Sequence, residues 1–398
     1  MSAEYICKKN HFYLPDDLIY LDGNSLGPMP LKALEYMPSV MQNQWGEKLI
    51  GGWNDAGWYD QPIRVGDRIA RLVGADTGYI VTGETLSIKV YQALAAALDI
   101  NSDRRVILSD NGNFPTDLYI AEGLIKTLDK GHQLACPNPE EVEDSIDDSV
   151  AVLMLTEVDY KTSRRHDMKR LTEKAREHGV ITIWDLAHSA GAIPIDLQGC
   201  DIDFAIGCTY KYLNGGPGSP AFIYVAKRHS NIATPALSGW MGHQAPFSFE
   251  QSYRAHEGTS RMRVGTPPVL ALSVLEAALD VFDGVDMHTL YQRSRVLSEL
   301  FIKEVMGSCP SLILASPEKS ELRGSHVSFY FEHAFSAIQA LIDLGVVGDF
   351  RAPNVMRFGI TPLYLEEADI SLAAQKIASV VNQGLWKKQI YQKKGAVT

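Results

Sequence analysis

The sequence predicts an α/β protein: a large domain on a mainly parallel sheet, joined to a smaller α+β domain. Two observations predict this. From about residue 70 to 225, short apolar runs alternate with helical periodicity, the pattern of buried parallel strands covered on both faces by helices. Beyond residue 269 long helical patterns are broken only by isolated strand-like runs, which reads as a second unit. At 398 residues the chain can bury two domain cores.

The runs Val106–Leu108, Ala151–Leu155, Ile181–Trp184, Phe204–Ile206 and Ala221–Val225 read as buried strands. Met168–His178 reads as a helix that carries its charges on one face and stops at Gly179, and Val90–Leu98 as an Ala-rich helix. Further on, Val269–Phe282, His288–Met306 and Ala337–Leu344 have helical patterns, while His326–Phe331 and Val355–Ile360 are strand-like. There is no repeat, low-complexity tract or long Pro/Gly linker, so the domains should be packed together. The expected large domain is 45–270, and the small one joins 1–44 to 271–398.

A formal charge of −11 argues against nucleic acid or an anionic membrane as a main partner. The Lys387-Lys388 and Lys393-Lys394 pairs read as a solvated face. Met1–Tyr5 lacks the layout of a signal peptide, and no apolar run approaches the roughly 18–20 residues that span a bilayer. The five cysteines form no CxxC pair and no zinc spacing, so no metal is expected and reduced thiols in the cytoplasm fit best.

In an open α/β sheet, ligands lie at the carboxyl ends of the strands, and there the chemistry-bearing residues fall. Thr156 follows one strand, Asp185 the next, and Tyr210-Lys211 lie beyond a third. Asp185 reads either as a strand-end turn or helix cap, or as a carboxylate that keeps a pyridinium nitrogen protonated. Lys211 stands between Tyr210 and Tyr212 and before Asn214-Gly215-Gly216-Pro217-Gly218. It could be an ordinary solvated lysine, but in this setting it reads as a desolvated amine for Schiff-base chemistry. Together the two residues predict a pyridoxal-phosphate site. Lys161, its rival, stands in a polar loop.

A phosphate would need donors at a helix N-terminus. Thr82–Ser87, just before the Ala-rich helix, supplies them, although Thr85 and Ser87 also suit a plain helix cap. Neither a Walker motif nor an intact GxGxxG occurs, which disfavours nucleotide cofactors. Phe114 is either a core residue or a ring-stacking face. Arg357, inside an apolar strand, needs an anion: a substrate carboxylate or a structural partner.

Lined up, Tyr20–Gly27, Asn113–Tyr119, Trp184–Gly191 and Gly207–Gly218 resemble kynureninases, a family of pyridoxal-phosphate enzymes of fold type I in tryptophan catabolism. The resemblance implies a homodimer that hydrolyses L-kynurenine to anthranilate and L-alanine at active sites on the subunit interface. It makes Lys211 the Schiff-base lysine and Asp185 the partner of the pyridine nitrogen; Tyr210, whose hydroxyl should lie near the cofactor, is a candidate catalytic proton relay. It places Leu86, Ser87 and Tyr210 at the phosphate, and Phe114, Pro115, Thr116, Asp117, Thr156 and His188 around the ring. Trp240 and Thr266 would reach the phosphate of the neighbouring subunit. Arg357 would bind the substrate α-carboxylate, and Trp58 resembles the aromatic of members that prefer kynurenine to its 3-hydroxy form. Glu157 and Asp159 depart from the family's His-Val-Asn-Tyr, and Ser163 replaces an expected glycine. These changes should add acidity behind Thr156. An aminotransferase, a cysteine desulfurase or a non-catalytic binding protein on the same fold are the alternatives.

Overall fold

The computed structural model describes residues 7–393; Met1–Tyr5 and Lys394 lie outside them. A short strand, β1 (Ile19–Tyr20), precedes the main sheet. That sheet comprises β2 (Ile80–Thr82), β3 (Val106–Leu108), β4 (Gln133–Ala135), β5 (Val150–Thr156), β6 (Ile181–Asp185), β7 (Phe204–Gly207) and β8 (Phe222–Val225). Their order is β2-β8-β7-β6-β5-β3-β4. From β7 to β4 all pairings are parallel, while β8 runs antiparallel to both of its neighbours.

Every residue of β5, β7 and β8 is buried, as a sheet covered on both faces requires. The helix that returns the chain from β5 to β6 is held at its ends by local chemistry. Helix Met168–Glu177 is capped where Asp167 accepts from the Arg170 amide at 3.0 Å, and it is ended at Gly179, whose φ of +64° favours glycine. The sequence pattern misses β2 and β4. These are the two edge strands, and unlike the all-aliphatic β3 each breaks its three residues with a polar one, Thr82 or Gln133. Val269–Phe282 is helical throughout but tightens to a 3₁₀ turn over Leu279–Phe282.

A second, antiparallel sheet has the order β12-β13-β10-β9, built from β9 (Ile313–Leu314), β10 (His326–Tyr330), β12 (Asp349–Arg351) and β13 (Val355–Gly359). Between β10 and β12, β11 (Val346–Val347) pairs in parallel with β1, which ties the N-terminal segment to the C-terminal part. The register sets Asp349 and Ser328 directly opposite Arg357.

Close packing of helix Gln61–Leu72 on β2 depends on Gly66, where a Cβ would lie 2.2 Å from the Ile80 carbonyl oxygen. Gly66→Ala should therefore destabilise the chain by about 1–3 kcal/mol, measured as a lowered midpoint in urea unfolding.

Candidate active site

The ends of β5, β6 and β7 converge. Thr156 and Asp185 are register partners, as are Asp185 and Ile206, so the turn after β7 delivers Tyr210 and Lys211 beside them. Asp185 is buried; it accepts from the Ala187 amide at 2.8 Å, and the Thr156 hydroxyl oxygen lies 3.4 Å away. Facing it is Asp117, from the first turn of helix Pro115–Leu128. Burial, then the charge of Asp185, pushes Asp117 well above the usual carboxylate range, so it keeps its proton beside Asp185. Burial also raises Asp185, opposed chiefly by the Lys211 ammonium.

Lys211 Nζ lies 3.0 Å from His188 Nε2. Burial, and then Lys211, hold His188 well below its ordinary range, so the imidazole is neutral. Its Nδ1 has no partner, and its ring packs 5.5 Å from that of His326, a buried β10 residue whose two nitrogens are also unpartnered. The Tyr210 ring lies 5.7 Å from Lys211 Nζ. Its phenol is pushed upward, first by the neighbouring Cys208 and then by burial, and stays protonated.

Asn113 binds the rest of the rim. Its Oδ1 accepts from the Phe114 amide at 2.7 Å and from the Thr156 hydroxyl at 2.5 Å. Phe114 caps helix Pro115–Leu128, with Pro115 and Thr116 as its first residues, and leaves its ring 40% exposed at 5.2 Å from Tyr160. Across the sheet, Thr85 caps helix Leu86–Ile100 without a side-chain hydrogen bond to its first turn. The Leu86 and Ser87 amides are therefore free donors on a positive helix end.

These residues fit pyridoxal phosphate. An anionic tail has the uncapped helix end, a ring nitrogen has a buried carboxylate with a proton reserve in Asp117, and a ring face has Phe114. Lys211 supplies the amine.

Arg357 is fully buried and already has a bidentate partner: Nε meets Asp349 Oδ1 at 2.8 Å and Nη2 meets Oδ2 at 2.5 Å. Nη1 donates to the Tyr160 carbonyl, and Nη2 to Ser25 Oγ at 2.8 Å. Thus the structural ion pair exists, and one Nη1 hydrogen is left for a ligand. The loop Tyr20–Gly27 also buttresses Lys211. The Gly27 amide donates to the Tyr210 carbonyl at 2.8 Å, and a Cβ on Gly27 would lie 2.3 Å from the Lys211 carbonyl.

Other expected site residues lie apart from this cluster. Trp58 is buried in the N-terminal arm, where its Nε1 donates to Gln44 at 3.1 Å and its ring meets Trp53 edge-on. Trp240 and Thr266 are exposed on adjoining segments. Glu157 adds no acidity to the cluster, because it is fully buried against Arg165, 2.9 Å away. Asp159 instead folds its own loop by accepting from the Lys161 and Thr162 amides at 3.0 and 2.5 Å. Asn113, Ser25, Asp349 and His326 were not singled out from the sequence. Asn113 and Ser25 stood inside the motif stretches, whereas only strand register reveals the other two.

Among the described residues no His/Cys/Asp/Glu group could hold a metal ion, and no helix is long and apolar enough to cross a membrane. Fold and site together define a pyridoxal-phosphate enzyme of fold type I. The chain superposes on a cysteine desulfurase from Thermococcus onnurineus NA1 with a TM-score of 0.80, covering 94% of this chain and 98% of that one at 16% identity. It superposes likewise on a mutant of the cystine C–S lyase C-DES that carries glycine covalently linked to its cofactor. There the TM-score is 0.81 over 93% and 98% of the two chains, at 16% identity. The family model for the kynureninase C-terminal domain matches residues 290–377. The kynureninase of Pseudomonas fluorescens is 45% identical over 98% of this chain and 95% of its own. That of Burkholderia pseudomallei strain 1106a is 44% identical over the same shares. The chain belongs to the kynureninase family.

Asp22 is half-buried close to Asp349 and Arg357. Burial, then the charge of Asp349, pushes it up to about 8, far above the unfolded value of about 4. The folded chain therefore holds a proton that the unfolded chain has lost, and stability must fall as pH rises from about 4 to about 8. Asp22→Asn should flatten this part of the pH–stability curve, removing a slope of at most about 1.4 kcal/mol per pH unit, as measured by thermal unfolding between those limits.

Proposed function

We propose that the chain hydrolyses the Cβ–Cγ bond of L-kynurenine, giving anthranilate and L-alanine, in a homodimer whose subunits share their cofactor sites. The observation that carries this reading is Lys211 Nζ at 3.0 Å from a neutral His188, beside the buried Asp185–Asp117 pair. An amine with a neutral imidazole against it is placed to take a proton from substrate carbon.

Lys211, Asp185, Asp117, Thr156, Phe114 and the helix end at Leu86–Ser87 would hold the cofactor. When bound, pyridoxal phosphate supplies a ring that stabilises negative charge at the substrate's Cα. Asp185 then holds the proton at the ring nitrogen, and Asp117 keeps Asp185 from being left as a lone buried charge. Lys211 removes the Cα proton, with His188 steadying the free amine. The remaining Nη1 hydrogen of Arg357 takes the substrate carboxylate, and Asp349 and Ser25 fix the plane of the guanidinium. Water adds to the γ-carbonyl; the Cβ–Cγ bond then breaks, the aromatic acid leaves and Cβ takes a proton. Tyr210, whose phenol stays protonated, is the proton carrier for these last steps.

The shared site is supported by the exposure of Trp240 and Thr266, and by exposed apolar side chains at Trp45, Ile50, Phe247 and Phe249 that a monomer has no reason to display together. Five free cysteines suit a reducing, cytoplasmic setting.

Lys211→Ala should abolish the visible absorbance of lysine-bound cofactor and lower anthranilate release, followed by fluorescence, at least about 10³-fold; near-normal release would refute the assignment.

A further inference from the structure

The helix whose first turn forms the phosphate cradle carries a lysine with no access to solvent. Lys89 is fully buried, and its ammonium meets Glu84 Oε2 at 2.5 Å, Gln92 Oε1 at 3.0 Å and the Met262 carbonyl at 3.3 Å. Gln92 Nε2 donates to that same carbonyl at 3.0 Å, and Glu84 Oε1 accepts from the Val264 amide at 3.3 Å. Glu84 itself is held at a φ of +49°, a left-handed conformation that costs a non-glycine residue energy. Two groups of this kind are an expensive way to gain stability, since a well-packed apolar pair would do as well or better. What a hydrogen-bonded ion pair with its lysine buried and its glutamate half-buried does give is fixed geometry.

Both ends of the pair lead to phosphate-binding positions. On one side Glu84 directly precedes Thr85 and the free amides of Leu86 and Ser87. On the other, Met262 and Val264 lead into Thr266. Val264 also packs on Gly239, where a Cβ would lie 2.0 Å from the Val264 carbonyl oxygen, and that oxygen accepts from the Met241 amide at 3.3 Å. Trp240 is carried between those two contacts. We propose that Lys89 and Glu84 form a positioning clamp that sets the phosphate cradle of their own subunit and, through Met262–Val264, the Trp240 and Thr266 that serve the neighbouring subunit's cradle. The second half of this proposal rests on the shared-site reading above. The clamp touches neither substrate nor cofactor; it links the two phosphate sites of a dimer through one rigid body.

The test uses mixed dimers in which one chain carries Lys211→Ala. Visible absorbance of lysine-bound cofactor then reports the single remaining site, and titration with pyridoxal phosphate gives its Kd. Glu84→Gln with Lys89→Met removes both charges without orphaning either. On the chain with intact Lys211 this double substitution should raise Kd about tenfold; on the Lys211→Ala chain it should raise Kd about threefold. The unfolding midpoint of the cofactor-free dimer should stay near the parent's, which separates positioning from general stability. An unchanged Kd in the first arrangement overturns the clamp. In the second arrangement, Thr266→Ala on the Lys211→Ala chain is the control. If the control weakens binding and the double substitution does not, the link between subunits is wrong. If neither does, the shared site is wrong, and the link with it. Should the double variant fail to fold, Gln92→Leu, which cuts one bond to the Met262 carbonyl and spares the ion pair, must raise Kd in the same two arrangements or the proposal fails.

Discussion

A carboxylate that water cannot reach lies at the end of the central strand β6, and the arrangement of the site follows from the need to compensate it. A lone buried charge costs as much as or more than the net stability of a domain. Asp185 is therefore surrounded by the Ala187 amide, the Thr156 hydroxyl, a protonated Asp117 and the Lys211 ammonium. Each comes from a different element: the turn after β6, the end of β5, the helix after β3 and the turn after β7. Parallel strands deliver those four ends to one edge. The sheet order is thus what makes a buried acid tolerable, and the acid in turn makes the edge chemically useful.

Arg357 poses the same problem with the opposite sign, and the chain solves it in the second sheet. Register across β12 and β13 gives Arg357 a bidentate Asp349, and the loop Tyr20–Gly27 adds Ser25. That loop then reaches the Lys211 turn through Gly27. One segment near the N-terminus therefore links Lys211 to Arg357, the two groups proposed to work at Cα and to take the carboxylate. Near-attack geometry depends on this kind of positioning, where an ångström of slack costs rate. Asp22 there stays protonated because burial, then the Asp349 carboxylate, raise it more than the Arg357 and Arg351 guanidiniums lower it.

How much of this could be read from the sequence differs by element for physical reasons. Strands β5, β6 and β7 were legible because burial on both faces leaves unbroken apolar runs, and Asp185 stood out as the polar residue ending one of them. Lys211 and Thr156 follow from the same logic of strand ends, whereas Phe114 could as well have been a core residue. The short edge strands β2 and β4 were missed because each interrupts its apolar run with a polar residue, whereas the equally short β3 does not. The partner of Arg357 was out of reach because Asp349 becomes its neighbour only through antiparallel register. Glu157 misled for a related reason: an acid after a site threonine looks like added charge until its buried Arg165 is seen. Local pattern reports what a residue is next to in the chain, whereas electrostatics depends on what the fold brings across from elsewhere.

The fold does not select the reaction, since it is shared at 16% identity with a cysteine desulfurase. The thiols do discriminate. A sulfur-accepting cysteine must ionise readily and move to the substrate, so it needs a lowered pKa and an exposed, mobile position. Here burial raises all five thiols. The one nearest Lys211, Cys208, is completely enclosed, with its sulfur turned toward the Ala187 carbonyl. It serves as packing beneath Tyr210. The acid–base groups that remain at the cluster are an amine, a neutral imidazole and a protonated phenol. These can move protons to and from carbon and oxygen, which is what hydrolysis next to a carbonyl requires and what sulfur transfer does not.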